Sequence, residues 1–105
     1  MTHYIMIITT VATKQEAQKI AQILLTEKLA ACVQIIGPIE SAYCWDGENI
    51  NDTEWLCQIK SKMSLFEQIS ECIKSNHSYK IPEIIALPII AGSREYFDWL
   101  DKETQ

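Results

Sequence analysis

A thiol and an imidazole lie five residues apart in the stretch E-C-I-K-S-N-H, residues 71–77. Cys72 and His77 are residue types that ligate copper and zinc, so the spacing raises the question of a metal site. Ile69 and Ile73 share the helical periodicity of Cys72, which places the thiol on an apolar helix face, whereas His77 falls just past the helix end. A ring N–H there can meet a last-turn carbonyl, and a cation there complements the helix dipole. The pattern favours a helix end and a turn over a closed metal cage.

The cysteines stand singly along the chain, with no C-x-x-C pair. Zinc ribbons and fingers need paired spacings, so we expect reduced, buried thiols that act as small hydrophobes. A hairpin turn at residues 46–49 would set Cys44 opposite a residue near Asn51 and Cys57 opposite one near Pro38, which argues against a disulfide across that hairpin. Cys44 also neighbours two aromatic residues and is the more accessible thiol for soft Cu(I).

Composition describes a small acidic globular domain. With 105 residues, of which 48% are hydrophobic and 22% charged, the chain fits one domain over residues 1–105. A net charge of -5 and a single arginine, Arg94, argue against the clustered basic surface that a nucleic-acid partner needs. The longest apolar run, residues 84–91, is too short to cross a bilayer, and no signal-peptide pattern precedes it. We therefore expect a cytoplasmic protein with no nucleic-acid partner and no membrane partner.

The first half of the chain alternates between strand and helix patterns. Residues 3–10 are apolar at nearly every position, as in a strand with both faces buried. Thr13 and Glu16 have the spacing of a capping box, which predicts an amphipathic helix to about Leu29. A long hairpin follows, with strands at residues 30–45 and 53–60 and a bulge or kink at Gly37-Pro38.

The second half repeats this order. Ser64 and Glu67 form a second capping-box pattern, and the helix that follows ends near Ser75 or Asn76. Residues 84–90 have a strand pattern, and Pro88 within it cannot donate to a ladder, which places that strand at a sheet edge. A short helix over residues 94–100 completes the chain. The order predicts an α+β ferredoxin-like split βαβ sandwich (βαββαβ), with one antiparallel sheet and both main helices on one face.

The predicted sheet is apolar on both of its faces. In the first strand, Tyr4, Met6 and Ile8 point one way and Ile5, Ile7 and Thr9 the other. Helices cover only one face, and soluble monomers rarely expose apolar patches larger than a few hundred Å². Further copies of the same chain are the simplest cover for the other face, so we expect a homo-oligomer.

Several motifs, in the same order along the chain, closely resemble those of the CutA divalent-cation tolerance proteins. They are Glu27-Lys28-Leu29-Ala30-Ala31-Cys32-Val33, the hairpin tip Tyr43-x-Trp45-x-Gly47, the stretch from Asn76 to Ile89, and Tyr96-x-x-Trp99-Leu100. The resemblance implies a cytoplasmic homotrimer of ferredoxin-like subunits, akin in architecture to the PII signalling proteins. It also implies a part in the tolerance of copper and other divalent metals, and it brings no enzymatic reaction.

The resemblance further implies where a metal would bind. The family's ligands are linked to a cysteine at the end of the first strand and a His-His pair in the late turn. In this chain those positions are Thr9, Asn76 and His77, so two of the three ligands are absent. We name His77 and Cys44 as the candidate metal ligands, and we expect weak copper binding and no obligatory cofactor.

Five residues match positions that the family keeps around the clefts between its subunits: Tyr43, Trp45, Lys60, Tyr79 and Glu83. Lys60 and the tyrosine hydroxyls could hold a small anionic or polar ligand, and Glu83 could meet a cation; interface packing is the alternative role. The rival function is therefore a PII-like signalling module that binds a metabolite or nucleotide in those clefts, and a structural scaffold is a third. We expect no enzyme, because G-x-S-x-G, P-loop and H-E-x-x-H motifs are absent from the sequence.

Overall fold

Four antiparallel strands form one sheet in the computed structural model, which describes residues 3–105. The elements are β1 (Tyr4–Val11), α1 (Lys14–Thr26), β2 (Cys32–Trp45), β3 (Glu48–Lys62), α2 (Phe66–Asn76), β4 (Ile85–Pro88) and α3 (Arg94–Glu103). The strand order across the sheet is β2-β3-β1-β4, and every neighbouring pair is antiparallel. Together with the β-α-β-β-α-β order of the chain, this topology confirms the predicted ferredoxin-like fold.

Helix α1 begins with half of the predicted capping box. The Thr13 hydroxyl accepts a hydrogen bond from the Glu16 backbone N–H at 3.1 Å, as an N-cap should. The Glu16 carboxylate does not complete the box; it bonds Ser78 instead. The helix ends at Thr26, three residues before the predicted Leu29, because Lys28 takes the left-handed conformation (φ 57°) that terminates helices.

The second predicted capping box is wrong. Ser64 lies inside a short 3-10 helix, Met63–Leu65, and α2 begins after it with Leu65 as an N-cap that makes no side-chain hydrogen bond. The apolar side chain of Leu65 is buried, so packing of this turn takes the place of a polar cap. The predicted end of α2 at Asn76 is confirmed.

The hairpin between β2 and β3 turns on two residues, Asp46 and Gly47, which both have positive φ. Strand β3 therefore starts at Glu48 and not at the predicted residue 53. This tight turn also shifts the register: the residues opposite Cys44 and Cys57 are Asn49 and Ile35, not residues near Asn51 and Pro38. All four cysteines are free, as predicted, but only Cys57 is buried, and Cys44 is exposed. The predicted interruption at Gly37-Pro38 is confirmed as a register shift between Ile36 and Ile39.

Helices α1 and α2 pack on one face of the sheet and form the core with it. From the strands, the buried side chains include Ile5, Ile7, Val11, Cys57 and Ile59; from the helices, Ala17, Ile20, Leu24, Ile69 and Ile73. In β1 these buried residues alternate with half-buried ones, as expected for a strand covered on one side only.

The opposite face, here called the open face, is covered at one end by α3. Tyr4 lies on this face, stacks on Phe97 with ring centroids 4.0 Å apart, and donates a hydrogen bond to Asp101. The rest of the open face keeps large apolar side chains in contact with solvent: Ile36 is 45% exposed, Ile85 49% and Leu87 39%. The sheet therefore has the second apolar face that the sequence predicted.

Strand β4 is shorter than predicted, with four residues, Ile85–Pro88. It lies at the sheet edge next to β1, so the predicted edge position of Pro88 is confirmed. The carboxy-terminal helix runs three residues past the predicted Leu100, to Glu103. No helix within residues 3–105 is long and apolar enough to span a membrane.

Candidate functional site

His77 is held by two hydrogen bonds in the turn that follows α2. Its side chain is fully buried, with Nε2 at 2.8 Å from the Thr10 carbonyl oxygen and Nδ1 at 3.0 Å from the Tyr79 backbone nitrogen. A backbone N–H can only donate and a carbonyl can only accept, so Nδ1 accepts and Nε2 carries the proton. Both ring nitrogens are therefore engaged within the chain, and neither is turned towards a metal.

The same turn is fixed to the start of α1. The Glu16 carboxylate accepts hydrogen bonds from the Ser78 backbone N–H at 2.8 Å and from the Ser78 hydroxyl at 3.0 Å. Glu16 Oε2 also lies 3.6 Å from His77 Nδ1. These contacts join the turn to α1 and leave the next side chain, Tyr79, directed at β3.

Cys44, the second candidate metal ligand, lies near the exposed tip of the hairpin. Its thiol is exposed and donates to Asn49 Oδ1 at 3.3 Å. His77 is bonded to β1 and to its own turn, so the structure of this one chain does not bring Cys44 and His77 together. Within residues 3–105 there is no group of three or more His, Cys, Asp or Glu side chains that could hold a metal ion.

The other positions implied by the family resemblance do not supply ligands either. Thr9 is buried under the helices, and the Asn76 side-chain amide donates to the Cys72 backbone carbonyl at 2.8 Å. Burial raises the pKa of the Cys72 thiol, with a smaller contribution from Glu27, and this disfavours the thiolate that a metal would bind. The side chains of residues 3–105 in a single chain therefore do not fit a resident metal.

A groove of about 610 Å³ lies between the hairpin arm and the turn after α2. We call it the aromatic groove; its lining residues are Thr10, Ser41, Ala42, Tyr43, Trp45, Ile50, Glu54, Tyr79, Lys80, Ile81 and Glu83. Four of the five predicted cleft residues line it together: Tyr43, Trp45, Tyr79 and Glu83. Whether they act as a binding site stays a prediction.

Two tyrosine–carboxylate pairs organise the polar side of the aromatic groove. The Tyr79 hydroxyl donates to Glu54 Oε2 at 2.8 Å, and the Tyr43 hydroxyl donates to Asp52. The pKa of Tyr79 is raised, mainly by burial and secondly by the hydrogen bond to Glu54. The pKa of Tyr43 is also raised, and the largest cause is its hydrogen bond to Asp52. Both phenols therefore stay protonated and act as donors to carboxylates.

Lys60, the fifth predicted cleft residue, lies outside the aromatic groove. Its ammonium donates to Gln34 Oε1 at 2.8 Å and lies 5.9 Å from the centroid of the Tyr96 ring. Lys60 therefore does not join Tyr43 and Tyr79 around a common ligand in this chain.

Sequence reasoning missed Glu54, the most deeply buried acid of the groove. Glu54 is only 5% exposed although it belongs to a strand. A signal was available, because Glu54 lies two residues before Leu56 and so shares its face of the sheet, where a buried carboxylate needs a donor. Tyr79 could not be named as that donor, because it lies 25 residues further along the chain.

The chain is similar to known proteins over nearly its whole length. The family described as CutA1 divalent ion tolerance protein matches residues 5–103. The divalent-cation tolerance protein CutA of Thermus thermophilus is 43% identical over 98 residues, which cover 93% of this chain and 95% of that protein. The chloroplastic protein CutA of Arabidopsis thaliana is 44% identical over 101 residues, which cover 96% of this chain and 56% of that protein. The chain thus spans little more than half the length of the plant relative.

Solved structures agree with the sequence comparison. The crystal structure of CutA1 from Oryza sativa superposes with a TM-score of 0.96 at 41% identity, covering 99% of this chain and 95% of that one. The divalent cation tolerance protein from Thermus thermophilus gives a TM-score of 0.95 at 41% identity, covering 97% of this chain and 99% of that one.

Proposed function

Because the chain belongs to the CutA1 divalent ion tolerance family, we propose that it contributes to the tolerance of divalent cations, copper among them. The observation that carries this proposal is the match over residues 5–103, together with 43% identity to a bacterial protein named for that tolerance. We further propose that it acts in the cytoplasm as a single-domain, non-enzymatic protein. Deleting the gene in its host should lower growth in added copper, and re-expression should restore it; unchanged growth would count against the proposal.

We propose that the working form is a homotrimer. The open face supports self-association, because Ile36, Ile85 and Leu87 would otherwise stay in contact with water. The two sheet edges, β2 and β4, also offer unpaired backbone groups to a neighbouring copy. The aromatic groove opens on the side of the hairpin that carries Glu54. This side of the hairpin is continuous with the open face, so a neighbouring copy on the open face would border the groove.

The tolerance we propose does not depend on a metal site within one chain. Both nitrogens of His77 are engaged, and Cys44 stands apart from it. Calorimetric titration with Cu(I), Cu(II) and Zn(II) should therefore give weak binding that Cys44→Ser changes little. His77→Ala removes two hydrogen bonds, so its melting temperature has to be recorded beside its titration. Tight binding that either variant abolishes would show a specific metal site and contradict this part of the proposal.

A second candidate function is that of a small-molecule sensor akin to the PII signalling proteins. The observation that favours it is the aromatic groove, since pockets of ~300–1,000 Å³ with a few convergent polar groups are typical of ligand sites. A thermal-shift screen of nucleotides, organic anions and organic cations tests it, because a ligand at 100 times its Kd adds about 2.7 kcal/mol of stability. If no compound shifts the melting temperature, the sensor function is not supported, and cation tolerance remains the proposed function.

A further inference from the structure

The aromatic groove combines a buried carboxylate with exposed aromatic rings. In the single chain the residue Glu54 is 5% exposed, whereas Tyr43 and Trp45 are 39% and 45% exposed. Tyr43 and Trp45 are two residues apart on β2, so their side chains share one side of the strand, and Tyr79 joins them from the turn. A ligand in the groove would therefore meet π faces as well as a carboxylate.

The tyrosine hydroxyls of the groove are already in use as donors. Tyr79 donates to Glu54 and Tyr43 donates to Asp52, and a phenol has one proton to give. An anionic ligand would have to break these bonds and would then lie beside the carboxylates. The hydroxyls therefore do not form the anion site that the sequence suggested.

The charges around the groove also favour a cation. Among the described residues that line it, Glu54 and Glu83 are acidic and Lys80 alone is basic. Lys60, the cation expected to hold an anion, is bonded to Gln34 outside the groove. The remaining field is negative, and carboxylates beside aromatic faces attract ammonium ions.

We propose that the aromatic groove binds an organic ammonium ion, with the carboxylates of Glu54 and Glu83 opposing its charge and the rings of Tyr43, Trp45 and Tyr79 contacting it. This inference rests on the second candidate function, because it names the class of ligand that a sensor of this kind would take. Charge complementarity selects this occupant over an anion. Ring contact selects an organic cation over a hydrated metal ion, which would prefer several oxygen ligands.

The test compares two isosteric probes on the assembled full-length protein. Choline carries the ammonium charge, and 3,3-dimethyl-1-butanol has the same shape without it. Trp45 lines the groove and is exposed, so its fluorescence should report binding. We expect choline to saturate the fluorescence change. The neutral probe should bind with about tenfold lower affinity or not at all, because it lacks the charge that interacts with the carboxylates and the aromatic rings. Equal affinity for the two probes would overturn the proposal.

Matched variants locate the site. Glu83→Gln removes a charge from the groove, and Glu95→Gln removes the same charge from α3, away from it. We expect Glu83→Gln to weaken choline binding about threefold or more, and Glu95→Gln to leave it unchanged. Trp45→Leu keeps an apolar side chain and removes the ring, so it should weaken choline binding, measured by calorimetric titration because the fluorescent reporter is lost, while the mass of the assembly stays the same. An equal effect of Glu83→Gln and Glu95→Gln would contradict a site in the groove.

The outcomes separate this inference from the broader sensor function. If ATP or citrate binds and choline does not, the ligand class is wrong and the sensor function stands. If no compound binds and Trp45 is shielded from acrylamide in the assembly, a neighbouring copy fills the groove, and both proposals fall. Copper tolerance is measured separately by growth and depends on neither result.

Discussion

The carboxylate of Glu16, in the first turn of α1, accepts two hydrogen bonds from Ser78, which lies 62 residues further along the chain. The same spacing that predicts a local capping box thus serves a tertiary contact. Next to Ser78, His77 donates to the Thr10 carbonyl and accepts from the Tyr79 N–H. The turn that carries Tyr79 into the aromatic groove is therefore held by one side chain of α1, Glu16, and by the backbone of β1.

We predict that Glu16→Ala lowers stability by about 1–3 kcal/mol, because it removes the partner of two hydrogen bonds and leaves the Ser78 N–H without its acceptor. Thermal unfolding at one fixed protein concentration measures the change, since the stability of an oligomer depends on concentration. Gln18→Ala, an exposed position on the same helix, is the control. A melting temperature for Glu16→Ala equal to that of the control would mean that the contact with Ser78 adds nothing.

Thr9 gives a prediction of the opposite sign. Its hydroxyl is buried and is the one buried side-chain oxygen or nitrogen within residues 3–105 that has no hydrogen-bond partner. Thr9→Val keeps the shape and the β-branching while removing that cost, so we expect it to be neutral or stabilising by about 1 kcal/mol. Ser61→Ala is the matched comparison, because the buried Ser61 hydroxyl donates to the Leu29 carbonyl, and it should destabilise. A clear loss of stability in Thr9→Val would contradict this prediction, because it would mean that the hydroxyl contributes more than its burial costs.

Cys57 should make stability fall at alkaline pH. The pKa of this thiol is raised from 9.0 to about 11, mainly by burial and secondly by the charge of Glu16. The folded chain therefore keeps its proton where the unfolded chain loses it, so the contribution of Cys57 is full below about 9.0 and declines between 9.0 and 11. Urea unfolding of Cys57→Ala should decline less steeply over this range than wild type. Cys44→Ala should follow the wild-type slope, and parallel curves for all three proteins would contradict the assignment.

The open face gives a prediction about assembly. Ile85 lies on the edge strand β4 and is 49% exposed in the single chain. Ile85→Lys places a charge where we expect a neighbouring copy to pack, so it should lower the mass of the assembly measured by light scattering. Gln18→Lys adds the same charge on α1, on the other side of the sheet, and should leave the mass unchanged. Equal masses for both variants would place the contact elsewhere.

The sequence predicted the fold because its signals are local and periodic. The alternation in β1, the Thr13 cap and the position of Pro88 each depend on neighbouring residues, and each is found where it was expected. The errors occur where tertiary contacts replace local ones. Leu65 packs in place of a polar cap at α2, and Lys28 ends α1 early in a left-handed conformation.

The candidate site was less accessible to sequence reasoning. The family resemblance named Tyr43, Trp45, Tyr79 and Glu83, which do line one groove. It could not show that the tyrosine hydroxyls are bonded to Asp52 and Glu54, or that Lys60 pairs with Gln34, because these bonds depend on the register of the strands and on tertiary packing. With the hydroxyls engaged as donors and Lys60 outside the groove, Glu54 and Glu83 outweigh Lys80, and so we expect a cation in place of the small anionic or polar ligand.

One chain leaves an apolar sheet face, and we propose that copies of the same chain cover it. Light scattering coupled to size-exclusion chromatography, at micromolar concentration and moderate salt, measures the mass of the resulting assembly. We predict one species with about three times the 12.0 kDa mass of the chain. A well-folded protein that elutes with the mass of a single 12.0 kDa chain would show that the open face needs no second copy.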